Sequence, residues 1–374
     1  MSLPHPAPTT STSTPGTLAH STTMRVGGAP AEWVRATSER EVIDAVRDVD
    51  DREVPLLVLG GGSNLVVADA GFAGAVVQVA NPGVTVESDD ACGGVIVTVG
   101  AGEPWDDLVA QAASQGWSGI EALSGIPGST GATPVQNVGA YGQEVSQTIW
   151  HVRVYDREQQ RVRTLFNADC DFSYRHSVLK ESMLSSADPS PRYVVLTVSF
   201  QLRPTEMSQP IGYADLARGL GVEAGERVPL GVAREGVLAQ RARRGMVLDA
   251  EDHDTWSCGS FFTNPLLSAP AMAELRQRAL ERLGPDGPTP PEFAGAGDTV
   301  KTSAAWLIDK AGYTKGYGLP GPAALSTKHT LAVTNRGQAR ADDVIALARD
   351  VRDGVERTFG VRLVNEPVLV GHSL

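Results

Sequence analysis

The sequence is poor in cysteine: Cys92, Cys170 and Cys258 are the full complement, widely spaced and odd in number. The absence of any Cys-x-x-Cys pair or metal-ligand cluster argues against a disulfide framework and a zinc site, predicts no bound metal, and fits a reducing cytoplasm. Cys258 as a nucleophile would need a neighbouring base or helix N-terminus, and the residues around it supply neither. Basic charge is also short. With 32 Lys and Arg against 44 Asp and Glu, the formal charge is −12, so neither nucleic acid nor an anionic membrane is an expected partner. A local basic pocket for a phosphorylated small molecule stays open. No apolar run approaches the roughly 20 residues that span a bilayer. The first residues, rich in Ser, Thr and Pro, lack the basic start and apolar core of an export signal.

What is present belongs to a globular chain: 41% hydrophobic and 20% charged residues over 374 positions, enough for about two or three domains. Residues 1–22 are expected to form a disordered tail. SERE, Ser38 to Glu41, has the form of a capping box ahead of a helix whose apolar face is Val42, Ile43, Val46 and Val49. PLLVLG, GAVVQV and GVIVTVG read as strands, and GEPWDDLVAQAASQGW as a short helix. YVVLTVSFQL alternates as a half-buried strand does. A boundary is expected near residue 204. Beyond it SAAWLIDKAG and ADDVIALARDVRDGVERTFG read as helices and TLAVTN as a strand. The pattern is that of an α+β chain.

Two loops carry a chemical signal. LGGGSN, Leu59 to Asn64, follows a strand directly, and GIPGSTGATPVQNVGAYG, Gly125 to Gly142, is a long run of Gly, Ser, Thr and Pro. Such loops let backbone amides close around anionic oxygens, and a pyrophosphate is a natural occupant. Neither loop contains Gly-Lys-Ser/Thr, and neither is a G-x-G-x-x-G opening a helix, so a P-loop and the ordinary dinucleotide fold are not indicated. Taken alone, GGGSN also fits a plain surface turn. WSCGSFFTNP, Trp256 to Pro265, poses a similar choice: Ser260 fits both a turn serine and a proton donor in a dry pocket.

The glycine loops, with GAGEPWDDLV and GIEALSG, resemble the flavin domain of the p-cresol methylhydroxylase and vanillyl-alcohol oxidase superfamily. Together with IPGSTGATPVQNVGAYG, YRHS, GSFFTNP, KTSAAWLIDKAGYTKG and NEP, in that order from about Met24 to Gly371, they resemble the UDP-N-acetylenolpyruvoylglucosamine reductase family. The resemblance implies a two-subdomain FAD-binding domain over residues 23–203, with subdomains at about 23–85 and 86–203. An α/β domain for a UDP-sugar, residues 204–374, would follow, ending in a catalytic strand. It implies non-covalent FAD, NADPH as hydride donor, and reduction of the enolpyruvyl ether of UDP-N-acetylglucosamine enolpyruvate to UDP-N-acetylmuramate for peptidoglycan. A cytoplasmic monomer is expected.

That reaction delivers hydride to the terminal carbon, leaves charge on the neighbouring carbon and its carboxylate, and ends with a proton added to that carbon. A serine hydroxyl always carries its proton at neutral pH, and by resemblance Ser260 is the general acid, with Phe261 and Phe262 excluding water. Arg175 is implied as the charge stabiliser, since a guanidinium stays protonated and offers fixed donors. By composition alone it could equally pair with Asp169 or Asp171. Glu366, in the apolar segment VRLVNEPVLVG, is implied as the glutamate that assists enolate stabilisation or protonation. Many relatives read Glu-Pro-Glu-Val there and this chain reads Asn-Glu-Pro-Val, but counting from Gly360 and Gly371 puts Glu366 at the catalytic position.

For FAD the resemblance implies Gly60, Gly61, Gly62, Ser63 and Asn64 on the first loop. On the second it implies Gly125, Ile126, Pro127, Gly128, Ser129, Gly131, Ala132, Gln136, Asn137, Gly139, Ala140 and Tyr141. For the UDP-sugar and nicotinamide it implies Tyr213, Arg244 in place of a commoner lysine, Asn264, Phe293 in place of a commoner tyrosine, Lys301 and His329. Two other readings are compatible with the loops: another oxidoreductase of the same flavin fold, and a UDP-sugar binder without catalysis.

Overall fold

The computed structural model describes residues 16–90, 93–184, 189–295 and 297–374. Cys92 and residues 1–15 of the expected tail lie outside them. Residues 16–22 do not behave as a tail. Leu18 is fully buried against Leu57, Leu59 and Val67, and its N–H donates to the Gly28 carbonyl. A single apolar side chain inserted between strands fixes this segment, and composition alone does not reveal it.

The first sheet is parallel, with Phe72–Val79 between Pro30–Ala36 and Leu56–Leu59. The helix Glu39–Asp51 crosses over it, burying Val42, Ala45, Val46 and Val49. Half of the expected capping box forms. Ser38 Oγ accepts the Glu41 N–H, but the Glu41 carboxylate turns outward to the Thr37 N–H and hydroxyl. Because Leu56–Leu59 is parallel to its neighbour, its C-terminal end delivers the loop GGGSN to the open edge, where such sheets bind ligands.

The second sheet is antiparallel, in the order Arg161–Phe166, Ile149–Asp156, Tyr193–Pro204, Gly94–Gly100, Val84–Asp90. Tyr193–Pro204 was expected to be half-buried, yet Tyr193 to Phe200 is covered on both faces, with Thr197 alone partly exposed. One face packs on the helix Trp105–Ser114, whose Trp105 meets Phe200 at 5.8 Å. Further along, Tyr193, Val194 and Val195 become cavity wall.

The part after residue 204 divides in its packing. Helices Ala214–Leu220 and Leu230–Arg243 share a small core with Ala122, and Arg234 makes a two-pronged pair with Asp106 at 2.6 and 2.8 Å. They therefore pack on the first half of the chain. The remainder builds a separate core around the helix Ala341–Phe359, which includes Met272, Leu275, Leu307 and Ile308. The chain then returns: Val368–Val370 runs parallel to Leu65–Val67. Glu366 lies just before this short strand and not within a strand as expected. The parallel pairing seats residue 366 beside Asn64, 302 positions away in sequence.

Candidate active site

Both glycine loops face one cavity of about 450 Å³. Their glycines serve first to bring the loops together. A methyl on Gly61 would sit 2.5 Å from the Gly128 Cα, one on Gly128 (φ +124°) 2.7 Å from the Ser63 Oγ, and one on Gly62 would collide with the Ser21 carbonyl. Backbone therefore packs on backbone, which no side chain would permit. Among the described residues, the N–H groups of Gly61, Gly62, Ser63, Gly128 and Ser129 have no protein acceptor. Unpaired backbone amides converging on a cavity form an anion site. This nest, and the apolar wall of Val58, Val79 and Val195, fit a flavin dinucleotide.

Most of the sequence-derived cofactor residues line the cavity, with two exceptions. Asn137 is buried, with its amide spent on Glu144, the Ser173 carbonyl and the Ser146 N–H. The Gly125 N–H is held by Asp106 at 2.6 Å. These two shape the loop from behind. The side chains of Asn64 and Gln136 are also committed, both donating to the Glu366 carbonyl, at 3.2 and 3.1 Å.

Ser260, Arg175 and Glu366 all reach the same cavity. Ser260 follows Gly259, whose φ of +73° turns the chain. The turn-serine role falls to Ser257, whose Oγ accepts the Gly259 N–H at 3.2 Å. The Ser260 hydroxyl makes no hydrogen bond to the described residues and stays a free donor. Phe261 and Phe262, expected to exclude water from the pocket, point the other way. Both are 1% exposed in the C-terminal core and pack edge-to-face at 5.2 Å. They anchor the serine loop, and the Phe261 carbonyl accepts the Glu366 N–H at 2.9 Å. Thr23 stitches this loop to the glycines: its hydroxyl donates to the Ser257 carbonyl at 2.7 Å, and its N–H to the Gly62 carbonyl.

Arg175 does not pair with Asp169 or Asp171. Its Nε lies 2.8 Å from Glu366 Oε1, and Nη2 donates to the Gly139 carbonyl at 3.2 Å. The pair is mostly shielded, at 22% and 19% side-chain exposure, so removing one partner alone costs more than it would at the surface, because the other charge is left poorly solvated. Tyr174 extends it, with Arg175 on its ring at 5.5 Å, Lys301 at 4.9 Å, and its hydroxyl accepting the Asn264 N–H. Asn264, Lys301 and Phe293 themselves lie off the cavity wall. The Asn264 Oδ1 caps the helix Ala304–Lys310 through the Ala304 N–H, and Phe293 pairs with Lys301 across two short strands.

Tyr213, Arg244 and His329 are on the wall. Tyr213 stacks edge-on with Tyr141 at 5.4 Å, and Arg244 reaches Asp215 at 2.9 Å. Arg241, to which sequence reasoning gave no role, also lines the cavity. Its Nε is buried without a hydrogen-bond partner, while Nη2 holds the Met246 carbonyl. It opens the run RARRG, Arg241 to Gly245, and such basic runs commonly form a solvated face. Cys258 beside Ser260 is inert: burial pushes its thiol up to about 12, and it donates weakly to the Leu65 carbonyl.

Burial, with like charge from Arg244, Lys315 and Arg241, pulls His329 down to about 4. Its Nδ1 accepts the Leu331 N–H, so the neutral ring carries its proton on Nε2. An unfolded histidine takes up a proton near about 6.5, and this folded one does so near about 4. Stability is thus expected to fall as pH drops through that window, by about 3 kcal/mol from this residue. Urea titrations at either end of the window should show the fall in the wild type and a shallower one in His329→Gln. Equal slopes would remove the assignment.

Comparisons with known proteins agree with this geometry. The family profile described as "FAD binding domain" matches residues 30–164, and that described as "UDP-N-acetylenolpyruvoylglucosamine reductase, C-terminal domain" matches residues 251–370. The UDP-N-acetylenolpyruvoylglucosamine reductase of Streptomyces avermitilis is 56% identical over 358 residues, 96% of this chain and 94% of its own. That of Streptomyces coelicolor is 55% identical, over 96% of this chain and 90% of its own. The crystal structure of the corresponding reductase from Thermus caldophilus superposes with a TM-score of 0.62 at 25% identity, covering 96% of this chain and 99% of that one.

Proposed function

The chain belongs to the UDP-N-acetylenolpyruvoylglucosamine reductase family, and from that premise we propose how its residues divide the work. The activity is reduction of an enolpyruvyl ether on a UDP-sugar, in peptidoglycan precursor synthesis, with an FAD cofactor. FAD, when bound, supplies the hydride. The residues to hold it are the amide nest at Gly61, Gly62, Ser63, Gly128 and Ser129, with the valine wall beside it.

Arg175 receives the substrate carboxylate. Its Nε is ion-paired with Glu366 without a formed hydrogen bond, and its Nη1 and Nη2 donate to the Asn137 and Gly139 carbonyls, so the guanidinium is placed before negative charge arrives. Such preorganised donors act on charge that develops at the transition state. Ser260 donates its proton to the carbon next to the carboxylate, and the alkoxide recovers a proton from water. Glu366, tied at its N–H to the Phe261 carbonyl, keeps the guanidinium and the serine in register. Tyr213, Arg244 and Arg241 receive the UDP diphosphate, and His329 adds a neutral Nε2–H donor. NADPH is the external reductant. A cytoplasmic, monomeric enzyme is the reading that goes with these co-substrates.

The observation that carries this reading is the meeting of a free serine hydroxyl and a shielded Arg–Glu pair on one cavity with the amide nest. The test is spectroscopic. Purified protein is expected to be yellow, to bleach with NADPH under anaerobic conditions, and to regain colour on addition of UDP-N-acetylglucosamine enolpyruvate with formation of the lactyl ether. Recolouring by oxygen, with no response to the UDP-sugar, would point to an oxidase on the same fold. A colourless protein would point to a binder.

A further inference from the structure

Behind the Arg175–Glu366 pair stands an ammonium group to which sequence reasoning gave no role. Lys180 lies on the helix Val178–Leu184, little more than a turn after Arg175. Its Nζ donates to the Arg175 carbonyl at 3.1 Å and to Gln136 Oε1 at 3.3 Å. Among the described residues no carboxylate lies within ion-pair distance of it, the one on Arg175 being that of Glu366. A shielded lysine held by two neutral oxygens is an unusual arrangement. Burial lowers its pKa below the ordinary lysine value, with Glu366 opposing that shift and Arg175 adding to it.

Both oxygens are handles on the pair. Gln136 is 7% exposed. With its oxygen taken by Lys180, its amide nitrogen must turn toward the Glu366 carbonyl, which it meets at 3.1 Å. A flipped amide would set two donors against each other. Arg175 has a φ of +55°, left-handed and costly for a residue with a side chain. Lys180 holds the carbonyl of that residue. Ser177 fastens the same turn, donating to the Val135 carbonyl at 2.5 Å and accepting the Lys180 N–H.

We propose that Lys180 is a positioning residue for the reduction: it sets the Gln136 amide and the Arg175 backbone, and so keeps Glu366 and Arg175 aligned with Ser260. Its charge also leaves the group of two cations and one carboxylate net positive where the substrate becomes more negative. The inference rests on the reductase reading above.

The test compares Lys180→Met and Lys180→Arg with the wild type. FAD content, thermal unfolding, substrate affinity of the oxidised enzyme by calorimetry, and the two anaerobic half-reactions are measured in each. Lys180→Met is expected to keep its FAD, to bind substrate and to react with NADPH within about threefold of wild type. Its reoxidation by substrate should slow about 100-fold, the scale of an ångström of misplacement. Lys180→Arg should recover about tenfold of that loss, since it keeps the charge but not the geometry. Lys180→Gln serves in the same comparison if the methionine variant does not fold. Reoxidation near the wild-type rate, equal slowing of both half-reactions, or no recovery with arginine would overturn the proposal. Failure of the wild type itself to be reoxidised by the UDP-sugar would instead remove the reductase reading.

Discussion

Ser260→Ala is expected to be reduced by NADPH at close to the wild-type rate, and to be reoxidised by the enolpyruvyl substrate about 10,000-fold more slowly. The split follows from where the hydroxyl is used. It makes no hydrogen bond within the described protein, so its removal breaks no internal contact and leaves the loop anchored by Phe261 and Phe262. Reduction by NADPH needs no proton on a substrate carbon. Reduction of the enol ether does, and water in this apolar-walled cavity is a poorly placed substitute. Stopped-flow traces of each half-reaction check the claim, and equal reoxidation in mutant and wild type would take Ser260 out of the chemistry.

Arg175→Met is the second large effect, with an expected loss of about 1,000-fold in reoxidation by substrate. The loss has two parts. The substrate carboxylate and the charge growing beside it lose a fixed cationic donor. Glu366, 19% exposed, also loses the cation that balances it, so the variant presents an unpaired carboxylate to an anionic substrate. Substrate affinity should therefore weaken along with the rate, unlike in Ser260→Ala, where the rate alone falls. Arg175→Lys should recover a minor part, because a lysine cannot hold the Gly139 carbonyl and Glu366 at once in the guanidinium's geometry. An affinity unchanged in Arg175→Met would contradict the assignment of this residue to the carboxylate.

Much of the site was legible because its chemistry sits in contiguous motifs. The glycine loops, YRHS, GSFF and NEP each carry their residues within a few positions, and Ser260, Arg175 and Glu366 do reach one cavity. The misreadings have a common cause: they concern contacts between distant segments. FF beside Ser260 reads as a lid, but the direction of the two rings depends on a core assembled around the helix Ala341–Phe359. Glu366 sits in an apolar stretch that looks like one strand, yet only Val368–Val370 forms a strand, on Leu65–Val67, while Asn365 makes an isolated bridge to Phe262. Leu18 in a Ser/Thr/Pro-rich segment gives no sign of the pocket between strands that it fills. Lys180 was in plain view within YRHSVLK. Its role depends on Gln136, 44 positions away, and no periodicity records that.

The central claim is that the hydroxyl of Ser260 and the guanidinium of Arg175 meet the same enolpyruvyl group. A crystal structure of the oxidised enzyme with UDP-N-acetylglucosamine enolpyruvate tests it directly. The expected arrangement has Ser260 Oγ about 3 Å from the carbon that takes the proton, and Arg175 within hydrogen-bond distance of the carboxylate. A substrate whose enolpyruvyl group instead lies against Lys301 and Asn264, outside the cavity and out of reach of Ser260, would contradict the account.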